Sequence, residues 1–158
     1  MTKRKGYLIQ RLEKSAKKTK TFFKGLSEEQ WHVEIYSEGA SWRVHQILAH
    51  FVSTEQSIAR LVKNIVNDSG SLPDDFDVDL FNETAVKKLE GLSHDTLLVR
   101  FLEARQEMIA MLTQFSDDDL DKIGRHPWLN AAPVDEMIKL VYRHNQIHQR
   151  DIRKAIHA

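Results

Sequence analysis

The chain has 158 residues, of which 41% are apolar and 29% charged, the proportions of an ordinary globular protein that forms one domain over residues 1–158. It has no cysteine, which excludes disulfides and thiolate chemistry and leaves nitrogen and oxygen as metal donors. Net charge is zero and no apolar run reaches the ~20 residues of a membrane span, so neither nucleic acid nor a membrane is an expected partner; the missing cysteines and the absence of a signal-peptide core suit the cytoplasm.

The first predicted helix runs from about Thr2 to Gly25, with Leu8, Leu12, Ala16, Phe22 and Phe23 on its inner stripe. Its outer face carries Lys3, Arg4, Lys5, Arg11, Lys14, Lys17, Lys18, Lys20 and Lys24 against Glu13 alone, and reads as a solvated lysine face. Ser27-Glu28-Glu29-Gln30 fits a capping box and starts a short turn that buries Trp31. Ser41 is the expected cap of a second long helix, about Trp42 to Asn67. The turn-rich stretch 68–75 breaks the pattern, and a shorter helix at about Leu80 to Leu89 follows in the crossover. Ser93 opens a third long helix, about His94 to Phe115. Residues 124–132 read as irregular, and Pro133 precedes a fourth helix over about Val134 to Ile156. Four long amphipathic helices with one long connection predict an all-α four-helix bundle.

Three histidines sit on apolar stripes. His144 and His148 continue the face of Met137 and Val141, four residues apart and so one turn apart. His50 follows Ile47 on the second helix. Three imidazoles from two helices can hold one divalent ion and leave a position open, as in catalytic zinc sites. Packed core histidines are the competing reading, although a buried pair without a partner costs desolvation energy.

Three segments carry a family resemblance: Ser41-Trp42-Arg43-Val44-His45-Gln46-Ile47-Leu48-Ala49-His50, the pair His144-x-x-x-His148, and His126-Pro127-Trp128 leading into Pro133-Val134-Asp135-Glu136-Met137-Ile138. Together they resemble the DinB superfamily of DinB/YfiT-like metalloenzymes. The resemblance implies an up-down-down-up bundle in which His50, His144 and His148 ligate a divalent metal, zinc or nickel, often in a homodimer. It also implies a small-molecule substrate and, in some members, a low-molecular-weight thiol such as bacillithiol or mycothiol.

The remaining candidates carry less. Asp151, three residues past His148, either orients an imidazole or pairs with Arg150 or Lys154. Glu55 lies five residues past His50, about 140° round the helix, and is expected at the surface, as is His45. His126 is expected to serve its loop, Trp42 and Trp128 to pack, and His32, His94 and His157 to lack partners. Arg143 and Arg150 are candidate cations for steering an acidic thiol. The apolar side chains of Phe76–Phe81, Trp128 and Leu129 lie outside the stripes and suggest an interface. The function these features favour is a metal-dependent thiol S-transferase or hydrolase, its catalytic residues unassigned; the alternative is a non-catalytic metal-binding stress-response module. Neutral imidazoles as ligands predict metal binding that weakens below pH ~6.5.

Overall fold

The computed structural model describes residues 1–37 and 41–157. In chain order the elements are α1 (Lys3–Lys24), α2 (Glu28–Trp31), β1 (Glu34–Tyr36), β2 (Trp42–Arg43), α3 (Val44–Val66), α4 (Val78–Leu89), α5 (His94–Thr113), α6 (Asp117–Asp121), β3 (Ile123–His126), β4 (Asn130–Pro133) and α7 (Val134–Ile156). The long helices α1 and α3 each pack on both α5 and α7, and α4 covers α3 from the crossover. Arg4 meets Asp135 and Thr19 meets Gln149, so α1 and α7 run parallel; Arg105 meets Glu55 and His94 meets His45, so α3 and α5 do too. The result is an all-α up-down-down-up four-helix bundle with a short helix in the crossover.

Local chemistry sets the ends. Thr2, Ser27, Asp77, Ser93 and Ser116 each accept a backbone N–H from the first turn of the helix they cap, which satisfies one of its orphan donors. The second long helix departs from expectation. Ser41 lies two residues before the N-cap; Arg43 is that extended N-cap, and its N–H is taken by the Gln46 side chain at 2.9 Å. Trp42 and Arg43 instead pair as β2 with β1. Residues 124–132, expected to be irregular, lie within the hairpin β3–β4, in which Gly124 pairs with Ala132 and His126 with Asn130. Each hairpin leads directly into one of the two histidine-bearing helices.

The core has two apolar halves. One gathers Leu8, Leu12, Val62, Met108, Leu112 and Met137; the other gathers Phe23, Ile47, Phe51, Leu97, Phe101 and Ile152. A polar layer separates them along every long helix. Arg105, 1% exposed, donates to Glu55 through Nε at 2.9 Å and Nη2 at 2.5 Å, to Asn145 Oδ1 at 2.6 Å and to the Leu12 carbonyl at 2.8 Å. Glu55 is likewise 1% exposed, so the surface position expected for it is wrong. The reason is packing: α3 is covered by α4, α5 and α7, and the face opposite His50 meets protein rather than water. The basic face of α1 is mostly solvated as expected, with Arg4 held by Asp121 and Asp135 at 2.7 and 2.8 Å.

Candidate metal centre

His50 on α3 and His144 and His148 on α7 converge. The Nε2 atom of His144 lies 2.9 Å from Nε2 of His50 and 2.9 Å from Nε2 of His148. The three donor nitrogens lie within 4.8 Å of one another, and among the described residues no carboxylate joins the group. A neutral imidazole has one N–H, so the His144 nitrogen can donate to only one of its two neighbours. The other neighbour's Nε2 then stands in close approach without a well-aligned hydrogen bond of its own, an arrangement that a shared cation, accepting all three lone pairs, relieves. Two nitrogens ~2.05 Å from one tetrahedral ion would sit roughly 3.3 Å apart, close to the spacing seen. The donor set and its geometry therefore fit a divalent ion.

The third ring has its tautomer fixed. The Tyr36 hydroxyl is 2.6 Å from Asp151 Oδ2 and 2.7 Å from His148 Nδ1. A carboxylate only accepts, so the tyrosine donates its proton to Asp151 and must accept from His148 Nδ1–H. The Nε2 lone pair of His148 then faces the cluster. Asp151 thus orients the imidazole through Tyr36, and also stands 3.7 Å from Arg150. The Nδ1 atoms of His50 and His144 are buried without any such partner.

Apolar walls hold the rings neutral. Trp42 lies 4.8 Å from the His50 ring, Phe51 5.8 Å from both α7 rings, and Trp128 stacks on His144 at 5.9 Å. Burial lowers the His50 pKa to about 3, helped by His148, and that of His148 to about 4 against the pull of Asp151. Burial and the neighbouring histidines push His144 well below the ordinary imidazole range. This corrects the expected pH dependence: protons compete for these nitrogens well below pH 6.5, because the folded site already excludes the charged form.

The cluster forms one wall of a cleft of about 1010 Å³, which is also lined by Tyr36, Trp42, Trp128 and Leu140, with Asp79 and Glu83 on α4 as its carboxylates. Trp42 and Trp128 therefore line the cavity rather than only packing. Arg143 and Arg150 are exposed and do not line it; they pair with Glu136 and Asp151. His126 is 2% exposed, and its Nδ1 accepts the N–H groups of Trp128 and Leu129 at 3.1 and 3.3 Å, so it fixes the turn that carries Trp128. His45, expected at the surface, is half-buried and forms a separate pair with His94, which was expected without a partner; their Nδ1 atoms are 2.7 Å apart, and His94 stacks on Trp31 at 4.0 Å.

A four-helix bundle with three converging histidines beside a cleft defines a class of possible metal-binding bundles. The chain belongs to the DinB superfamily, whose family model matches residues 11–152. No curated protein matches the sequence. Among solved structures, the chain is similar to YfiT from Bacillus subtilis, a probable metal-dependent hydrolase with an unusual four-helix bundle topology, at 20% identity over 98% of this chain and 87% of that one, with a TM-score of 0.76. It is also similar to the colibactin self-resistance protein ClbS, solved with double-stranded DNA, at 15% identity over 95% of each chain and a TM-score of 0.71. A mycothiol-dependent maleylpyruvate isomerase matches at 11% identity and a TM-score of 0.77, over 96% of this chain but 63% of the isomerase. At these identities the likenesses establish the fold. No helix among the described residues is long and apolar enough to cross a membrane.

Proposed function

We propose that His50, His144 and His148 hold one divalent metal ion, zinc or nickel, and that the cleft beside them is the site of a metal-dependent reaction on a small molecule, either thiol-dependent S-transfer or hydrolysis. The observation that carries this reading is the convergence of three Nε2 atoms, each 2.9 Å from a neighbour, which no arrangement of neutral-ring protons satisfies. A bound ion would supply Lewis acidity, lowering the pKa of a water or thiol in the open position. The chain's own residues do the rest. Tyr36 and Asp151 keep the His148 lone pair inward, Trp42 and Phe51 exclude water from the rings, and Asp79 and Glu83 are available to exchange protons with a substrate in the cleft. The same reading takes the chain as one domain and as a homodimer.

The test is elemental analysis of untagged protein together with its His144→Ala variant. Near-stoichiometric metal in the parent and at least about a 100-fold loss of affinity in the variant are expected; undiminished binding in the variant overturns the assignment. Affinity should hold from pH 8 to about 5, since the folded rings stay neutral there. Titrating cobalt-substituted protein with a small thiol should give a sulfur-to-metal charge-transfer band. Metal binding without that band and without turnover would favour a non-catalytic module.

A further inference from the structure

A second cavity, of about 280 Å³, adjoins the histidine cleft. Its walls are Ile58 and Leu61 of α3, Phe76 from the crossover, Phe81 of α4, and Pro127 and Trp128 from the β3–β4 turn. Trp128 and Asn82 line both cavities, so the indole borders the two. Phe76 and Phe81 are half-buried with ring centroids 5.6 Å apart. These rings and Trp128 are the apolar side chains that fall outside the helical stripes, and neither apolar half of the core absorbs them.

Size and charge narrow the occupant. A cavity of roughly 150 Å³ lined by Leu, Ile and Phe takes a benzene ring, so this one suits a group on the order of two fused rings or a medium-length alkyl chain. One cation stands at its rim. Arg60 lines the chamber, is exposed and makes no ion pair among the described residues, so its guanidinium is available to an anion there. Along α3, Arg60 is ten residues beyond His50, or about 15 Å at 1.5 Å per residue. The cavity thus runs from beside the histidines toward a free guanidinium.

We propose that this chamber binds the apolar arm of an anionic small molecule. The arm, an aromatic or medium-chain group, lies between α3 and α4; its carboxylate meets Arg60, and its other end passes Trp128 and Asn82 into the histidine cleft. The last clause rests on the metal-enzyme reading; the chamber itself does not.

The chamber is tested on metal-free, full-length protein by calorimetric titration with naphthalene-2-carboxylate. Ser57 lines the chamber and not the cleft, so Ser57→Trp fills it from α3. The parent should bind the probe, and Ser57→Trp should weaken binding by at least about tenfold while leaving zinc affinity unchanged. Arg60→Gln should weaken the carboxylate and leave neutral 2-naphthol unaffected. Equal binding by parent and Ser57→Trp, or no binding by the parent, overturns the chamber. Should Ser57→Trp fail to fold, Phe81→Ala serves instead: it widens the chamber and should shift preference toward anthracene-2-carboxylate, and an unchanged preference counts against the proposal. The link to the cleft is read on cobalt-loaded protein, where 2-(2-naphthyl)ethanethiol should develop the sulfur band at about tenfold lower concentration than ethanethiol, a gain that Ser57→Trp removes. Naphthoate binding in a protein that takes no metal would sink the metal reading and leave the chamber standing; the converse would sink the chamber alone.

Discussion

Tyr36 decides which nitrogen of His148 faces the cluster. Among the described residues its hydroxyl is the one partner of the outward His148 nitrogen, and Asp151 fixes the direction of the hydroxyl proton. Removing that oxygen frees the ring to exchange tautomers. Tyr36→Phe should therefore cost about 10–100-fold in metal affinity, the usual effect of losing an outer partner of a ligating imidazole, with little change in helix content; zinc competition titrations measure it, and unchanged affinity would show that packing alone orients the ring. The three histidines were legible in the sequence because helix periodicity fixes which residues share a face, and four-residue spacing on an apolar stripe is a local pattern. Tyr36 was not legible. It meets His148 across 112 residues, from a three-residue strand with no periodicity to announce it. Glu55 failed for another reason: the angular argument placed it correctly relative to His50, but direction on a helix says nothing about what lies there.

At the scale of elements, the four long helices were legible to within a few residues, because their apolar stripes are long; Thr2, Gly25 and Ser93 cap α1 and α5 as expected, whereas Arg43 and Pro133 precede α3 and α7. The two hairpins were not. Strands of two to four residues are too short to alternate visibly, and their pairing depends on the helices that they enter. What holds those helices in register is the polar layer. Arg105 joins α5 to α1, α3 and α7 through one buried guanidinium. A buried ion pair is weak evidence of net stability, yet losing one partner strands the other charge away from water. Arg105→Met should destabilise the protein by about 3–5 kcal/mol. Pairing it with Glu55→Leu should recover most of that loss, because no charge is then stranded and the apolar halves on either side can close over the site. Urea unfolding of the two single variants and the double variant measures the coupling. A single-variant loss below about 1 kcal/mol, or simple additivity in the double variant, would show that the layer does not act as a unit. Asn145 sits beside His144 on α7 and accepts from the same guanidinium, so the network also ties the ligand helix to the bundle centre.

At the scale of the whole molecule, burial of neutral histidines links stability to pH. In the folded chain, burial lowers His50 to about 3 and His126 and His148 to about 4, and His144 also lies well below the ordinary range. In the unfolded chain each titrates near ~6.5. Between these values the unfolded state binds more protons, so the contribution to stability is complete above ~6.5 and is lost as pH falls toward the folded values. Each histidine can lower stability by at most about 1.4 kcal/mol per pH unit in that window. Urea midpoints of the metal-free protein should therefore fall steadily from pH 7 to 5, before most carboxylates titrate. His126→Asn separates the turn from the cluster, since the asparagine side-chain oxygen can still accept the Trp128 N–H while nothing there takes a proton; it should reduce the slope by about one histidine's share. Saturating zinc should raise the parent's midpoints by a nearly constant amount and leave the slope from pH 7 to 5 unchanged, because the folded rings are already neutral there and the ion displaces no proton. A metal-free parent whose midpoint stays level from pH 7 to 5 would show that the rings are solvated and protonated in the folded protein, and would remove the electrostatic basis for a neutral three-histidine centre.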